Sequence, residues 1–91
     1  MILCVCTEGV NRSVGYARYI RLHTGIHAVA AGIHNPQIGE LARIADQIVR
    51  CTEEGDEFFT YWKEKVVNGI IEPDTLADPM KWYEEIKRRK S

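Results

Sequence analysis

The sequence is short of most features that mark a specialised chain. It has only 3 prolines and 7 glycines in 91 residues, with no repeat, no low-complexity tract and no shift of composition that marks a linker. A chain of that size buries roughly 60–70% of its unfolded surface, enough for one core. Residues 1–91 therefore read as a single domain. Cysteine is scarce and odd in number: 3 thiols exclude a complete internal disulfide framework. No Cys-x-x-Cys occurs, and His23, His27 and His34 lack ligand spacing, so neither a redox dithiol nor a metal site is expected. An excess of one charge is also missing. Twelve basic residues against 13 acidic ones give a net charge of −1, whereas a general nucleic-acid binder carries a basic face. The opening Met1-Ile2-Leu3-Cys4-Val5-Cys6 is apolar, yet it has no basic leader and is too short for a membrane span. Thiols without disulfide partners fit a reducing compartment, and a cytoplasmic location is expected.

What is present is the composition of a globular α/β protein, 45% hydrophobic and 27% charged. Residues 2–6 are a continuous apolar run, the pattern of a strand buried on both faces. From about Ser13 to His23 the period turns helical, with Val14, Ala17 and Ile20 on one side, and Gly25 stops it. Residues 27–31 read as a second strand. Pro36 opens a second helix, in which Ile38, Leu41, Ala42 and Ala45 share a buried face. Residues 47–51 make a third strand. Asp56 begins a third helix carrying Phe58, Phe59, Trp62 and Val66; Asn68-Gly69 ends it, and Ile70-Ile71 is a minimal fourth strand. Asp78-Pro79 is a helix start, cap and first-turn proline together. The last helix runs out into Lys87-Arg88-Arg89-Lys90, positive charge where the dipole favours it. Such alternation predicts an open parallel sheet of about four strands with helices on both faces. Ligands of these sheets sit beyond the carboxyl ends of the strands.

The loop after Cys6 is one such place. Cys6 ends the first strand, Arg12 stands where a helix begins, and Ser13 follows it. Between them lie Thr7, Glu8, Gly9, Val10 and Asn11, whose backbone N–H groups can turn inward as an anion-binding nest. A positive field of that kind lowers a thiol pKa from about 8.5 to about 3.5–7.5 and yields a thiolate nucleophile. The planar fork of Arg12 suits two phosphoryl oxygens, and the Ser13 hydroxyl is placed to donate to the sulfur.

Cys6-Thr7-Glu8-Gly9-Val10-Asn11-Arg12-Ser13 resembles the Cys-x5-Arg-Ser loop of the low-molecular-weight protein tyrosine phosphatases, which also follows the first strand near the N-terminus. The likeness continues at Ala30-Ala31-Gly32, where the family often has Ser-Ala-Gly, and at Ala45-Asp46-Gln47-Ile48. The resemblance implies a sheet order of second, first, third, fourth. It implies Cys6 as nucleophile, Arg12 as phosphate ligand, residues 7–12 as the phosphate-binding loop, and Ser13 as the residue that eases thiolate departure. It also implies no cofactor, and a phosphorylated protein or phosphorylated small molecule as partner. The chain departs from the family pattern at Gly9, Ala30 and Glu8. Gly9 and Ala30 replace an Asn and a Ser that brace the loop, and Glu8 adds negative charge near it.

A phosphocysteine mechanism needs a general acid for the leaving oxygen. In the family this is an Asp after the fourth strand, usually followed by Pro. Asp74, in Ile70-Ile71-Glu72-Pro73-Asp74, has the right distance from the strand. Asp78 matches the dipeptide but doubles as a helix cap; Asp74 is the preferred acid and Asp78 the alternative. Trp82 and Tyr83 follow, where the family sets aromatic walls, and His34 stands near the expected mouth. Cys4 and Cys51 read as buried apolar residues. The leading function is a phosphomonoesterase of phosphotyrosine type. A non-catalytic module that binds a phosphorylated ligand with the same loop is favoured by the lost bracing and Glu8. An arsenate reductase or phosphocysteine carrier is a third possibility, but by chain position neither Cys4 nor Cys51 is obviously placed as a resolving thiol. No membrane contact is expected, and nothing in the sequence sets an oligomeric state.

Overall fold

The structure, a computed structural model, describes residues 1–7 and 12–72. Glu8, Gly9, Val10 and Asn11, the aspartates Asp74 and Asp78, Trp82, Tyr83 and the expected last helix lie outside the described residues. The elements alternate: β1 (Ile2–Cys6), α1 (Arg12–Thr24), β2 (Ala28–Gly32), α2 (Ile38–Ile44), β3 (Gln47–Arg50), α3 (Asp56–Trp62) and β4 (Ile70–Ile71). The strands form one sheet in the order β2-β1-β3-β4, and every pairing is parallel. This is the expected open α/β sheet.

Alternation along β1 sorts its side chains between two cores. Ile2, Cys4 and Cys6 face one side with Val49, Cys51 and Ile71, where Tyr16, Ala17 and Ile20 of α1 cover them. Leu3 and Val5 face the other with Ile48, where Ala42 of α2 and Phe59 of α3 close the layer. Helices therefore cover both faces, and every residue of β1 is buried. That double burial is why the strand reads as a continuous apolar run rather than an alternating one. Each large side chain removed from water here contributes about 1.5–3 kcal/mol.

Several boundaries differ from expectation for identifiable reasons. Val14 is 42% exposed, and the buried face of α1 is Ser13, Tyr16, Ala17 and Ile20. The helix is turned so that a serine, not a valine, meets the sheet. Pro36 does not open α2: the Asn35 side chain accepts the Gln37 N–H at 2.8 Å, and the Ile38 N–H reaches the Asn35 carbonyl at 3.0 Å. This turn delays the helix to Ile38. Likewise α3 ends at Trp62 and continues as turns, which still bring Val66 into the core. Gly25 adopts φ 72°, a left-handed stop that its lack of a Cβ permits.

Candidate functional site

Chain direction makes the carboxyl end of β1 the switch point of the sheet. From β1 the chain crosses through α1 to β2 on one side, then through α2 to β3 on the other. A crevice at the strand ends forms where the order reverses in this way. Cys6 is the last residue of β1 and sits there, with its carbonyl accepting the Ile33 N–H at 2.8 Å.

Helix α1 begins with Arg12, which is exposed, and Ser13, which is wholly buried. The Cys6 sulfur and the Ser13 hydroxyl are hydrogen-bonded at 2.9 Å. Either group can donate while the sulfur is protonated; once it is ionised, only the hydroxyl can. The bond therefore favours the thiolate. Thr7, the first loop residue, is tied to the neighbouring strand exit through a 2.8 Å bond between the Thr7 and Thr52 hydroxyls. Thr52 also accepts the Glu54 N–H at 3.1 Å, which holds the turn after β3 in place.

The three thiols share one apolar cluster on this face, and none is in a disulfide. Burial, reinforced by the neighbouring Cys6 and opposed by Arg12, pushes the Cys51 thiol up to about 12. Burial pushes Cys4 well above its ordinary value, with Cys51 adding to the effect and Arg21 opposing it. Both stay protonated at neutral pH. The Cys51 N–H donates to the Val5 carbonyl at 2.7 Å, one step past the Val5–Arg50 register pair. That step sets Cys51 beside Cys6 on the neighbouring strand.

Compared with protein-family models, curated proteins and solved structures, the chain matches none of them.

Arg50 is the residue that sequence reasoning passed over. At the end of β3 its side chain is only 16% exposed. Its guanidinium donates to the carbonyls of Thr52 at 2.7 Å and Glu53 at 2.9 Å, and it pairs with Asp56 at 2.6 Å and Glu72 at 3.2 Å. It also lies over the Phe59 ring, 4.4 Å from the centroid. One cation thus joins the exit of β3, the start of α3 and the exit of β4, from which the chain continues toward Asp74. An arginine directly after the apolar Ile48-Val49 pair of a strand was the available signal. His34, after β2, is exposed, with Nε2 3.6 Å from a Glu54 carboxylate oxygen.

Of the expected site residues, Cys6, Thr7, Arg12 and Ser13 come together at one strand end. Among the described residues, no group of three or more His, Cys, Asp or Glu side chains is arranged to hold a metal ion. No helix among them is long and apolar enough to cross a membrane.

Proposed function

We propose that the chain is a cysteine-dependent phosphatase of the low-molecular-weight tyrosine phosphatase type, acting on a phosphomonoester in the cytoplasm. The observation that carries this reading is the 2.9 Å bond between the Cys6 sulfur and the buried Ser13 hydroxyl, at the carboxyl end of a central parallel strand. A hydroxyl buried against a sulfur has a chemical use if that sulfur must carry charge and later leave.

In this reading the Cys6 thiolate attacks phosphorus, forming the S–P bond as the ester P–O bond breaks. Asp74, or in its place Asp78, protonates the departing oxygen. Arg12 holds two phosphoryl oxygens in its fork while N–H groups of residues 7–12 meet the developing charge. The same aspartate then takes a proton from water, whose oxygen attacks phosphorus and releases phosphate and the thiolate. The Ser13 hydroxyl stabilises that thiolate as it departs. The substrate is a phosphorylated protein or a phosphorylated small molecule.

A second reading, a module that binds a phosphorylated ligand without turnover, is favoured by Ala30. Its methyl group packs against the apolar cluster, and it has no hydroxyl with which to brace a loop. Turnover of a generic aryl phosphate separates the two. A phosphatase hydrolyses it and loses the activity in Cys6→Ser; a binding module shows no turnover but is protected by phosphate from alkylation at Cys6.

A further inference from the structure

Among the described residues, three polar side chains are buried: Ser13, Gln47 and Thr52. Buried polar groups persist where a partner meets them. Ser13 meets the Cys6 sulfur. Gln47, at the start of β3 and away from the crevice, donates to the Asn68 carbonyl at 3.2 Å. Thr52 lies beyond the carboxyl end of β3, and its hydroxyl meets that of Thr7 at 2.8 Å across 45 residues of chain. Thr7 directly follows the nucleophile, whereas Thr52 belongs to no loop that the proposed reaction uses.

The turn that carries Thr52 is held from several sides. The Arg50 guanidinium donates to the Thr52 carbonyl at 2.7 Å and to the Glu53 carbonyl at 2.9 Å. The Glu54 N–H donates to the Thr52 hydroxyl oxygen at 3.1 Å, which leaves that hydroxyl its hydrogen and one lone pair for Thr7. Gly55 adopts φ 80°, and a Cβ there would lie 2.6 Å from the Ile33 Cγ1. Ile33 in turn donates its N–H to the Cys6 carbonyl at 2.8 Å. The turns after β2 and β3 therefore close on the end of β1 from both sides, and Thr52 is a fixed point to which a loop residue can be tied.

We propose that Thr52 is a positioning residue for the phosphate-binding loop: through the Thr7 hydroxyl it fixes the first loop residue before an anion arrives. The proposal rests on the reading of residues 7–12 as that loop. A hydroxyl then secures each side of it, Thr7 to Thr52 at the start and Ser13 to Cys6 just past the end. Backbone N–H groups stabilise charge best when already in place. Any residue that the ligand must order subtracts its lost freedom from the binding free energy. The loop sequence includes Gly9, the residue type that loses most freedom on ordering, so an anchor at the start of the loop has more to offset.

The test reads phosphate affinity without turnover. Iodoacetate alkylates Cys6 in the purified full chain, peptide mapping by mass confirms the site, and inorganic phosphate slows the reaction. Thr52→Val removes the hydroxyl and keeps the branched shape. The half-protecting phosphate concentration should then rise about two- to tenfold, the range of one neutral hydrogen bond. Thr52→Ser, which keeps a hydroxyl, should stay near the wild-type value. Thr7→Val should match the loss in Thr52→Val, and the double variant should lose no more, because both changes remove one bond. If Thr52→Val does not fold, Thr7→Val against Thr7→Ser carries the test on the same terms. Unchanged protection in the valine variants overturns the proposal. So do losses that multiply in the double variant, since Thr52 would then act on its own turn alone. The two readings fail separately. The expected pattern in a chain without aryl phosphatase activity leaves Thr52 in its role and removes the phosphatase; turnover with protection indifferent to Thr52 does the reverse. A wild type that phosphate does not protect ends both.

Discussion

Ser13 lies wholly buried in the first turn of α1 with its hydroxyl 2.9 Å from the Cys6 sulfur. A hydrogen bond to a charged group is worth about 1.5–3 kcal/mol. Ser13→Ala should therefore slow iodoacetate alkylation of Cys6 at neutral pH by about tenfold or more, and should slow breakdown of a phosphocysteine intermediate. Stopped-flow alkylation and burst kinetics read the two effects. Unchanged alkylation in that variant removes the serine from the chemistry.

Arg12 should matter through its shape as well as its charge. Arg12→Lys keeps the positive charge but loses the two-pronged contact with phosphoryl oxygens. Phosphate protection of Cys6 and aryl phosphate turnover should both fall, while the fold, read by circular dichroism, is retained. Near-normal kinetics contradicts the role given to the guanidinium.

Asparagine substitutions separate the two candidate acids. Loss of a general acid slows phosphorylation by roughly 10²–10⁴-fold, most for poor leaving groups. Asp74→Asn should show that loss and should lose the basic limb of the pH–rate profile. Asp78→Asn should be nearly silent, because asparagine also caps a helix well. Kinetics on a series of aryl phosphates decides the matter, and the opposite pattern transfers the role to Asp78.

How much of this was legible in the sequence varies with the kind of contact. The sheet was legible because β1 is buried on both faces and leaves an unbroken apolar run, while β2 and β3 carry shorter apolar stretches between turn residues. Cys6, Arg12 and Ser13 were legible because one loop carries them. The phase of α1 was legible at Ala17 and Ile20 but not in its first turn, where spacing points to Val14 and the buried residue is Ser13, its hydroxyl against the Cys6 sulfur. Arg50, Thr52 and the nearness of Cys6 to Cys51 depend on residues brought together from separate strands and turns. Register, which local patterns leave open, decides all three.

Alkaline stability should report the buried thiols. The Cys51 thiol is raised from 9.0 to about 12 in the folded chain, so above about pH 9 the folded state keeps a proton that the unfolded state has lost. The associated stability is fully present below the unfolded value and falls as pH rises toward the folded one, by about 1.4 kcal/mol per pH unit. Cys4 acts in the same direction. Urea midpoints should hold between neutral pH and about pH 9 and decline above it, less steeply in Cys51→Ala. Equal declines in the two proteins contradict the assignment.

The central claim is that Cys6 carries phosphate during turnover. Its most direct test is an acid quench of the wild-type protein during hydrolysis of an aryl phosphate, with peptide mapping of the trapped phosphoenzyme. The expected result is phosphate on the Cys6 sulfur, and neither trapped phosphate nor turnover in Cys6→Ser. Turnover that persists in Cys6→Ser, or a working enzyme whose phosphate is trapped on another residue, would contradict it.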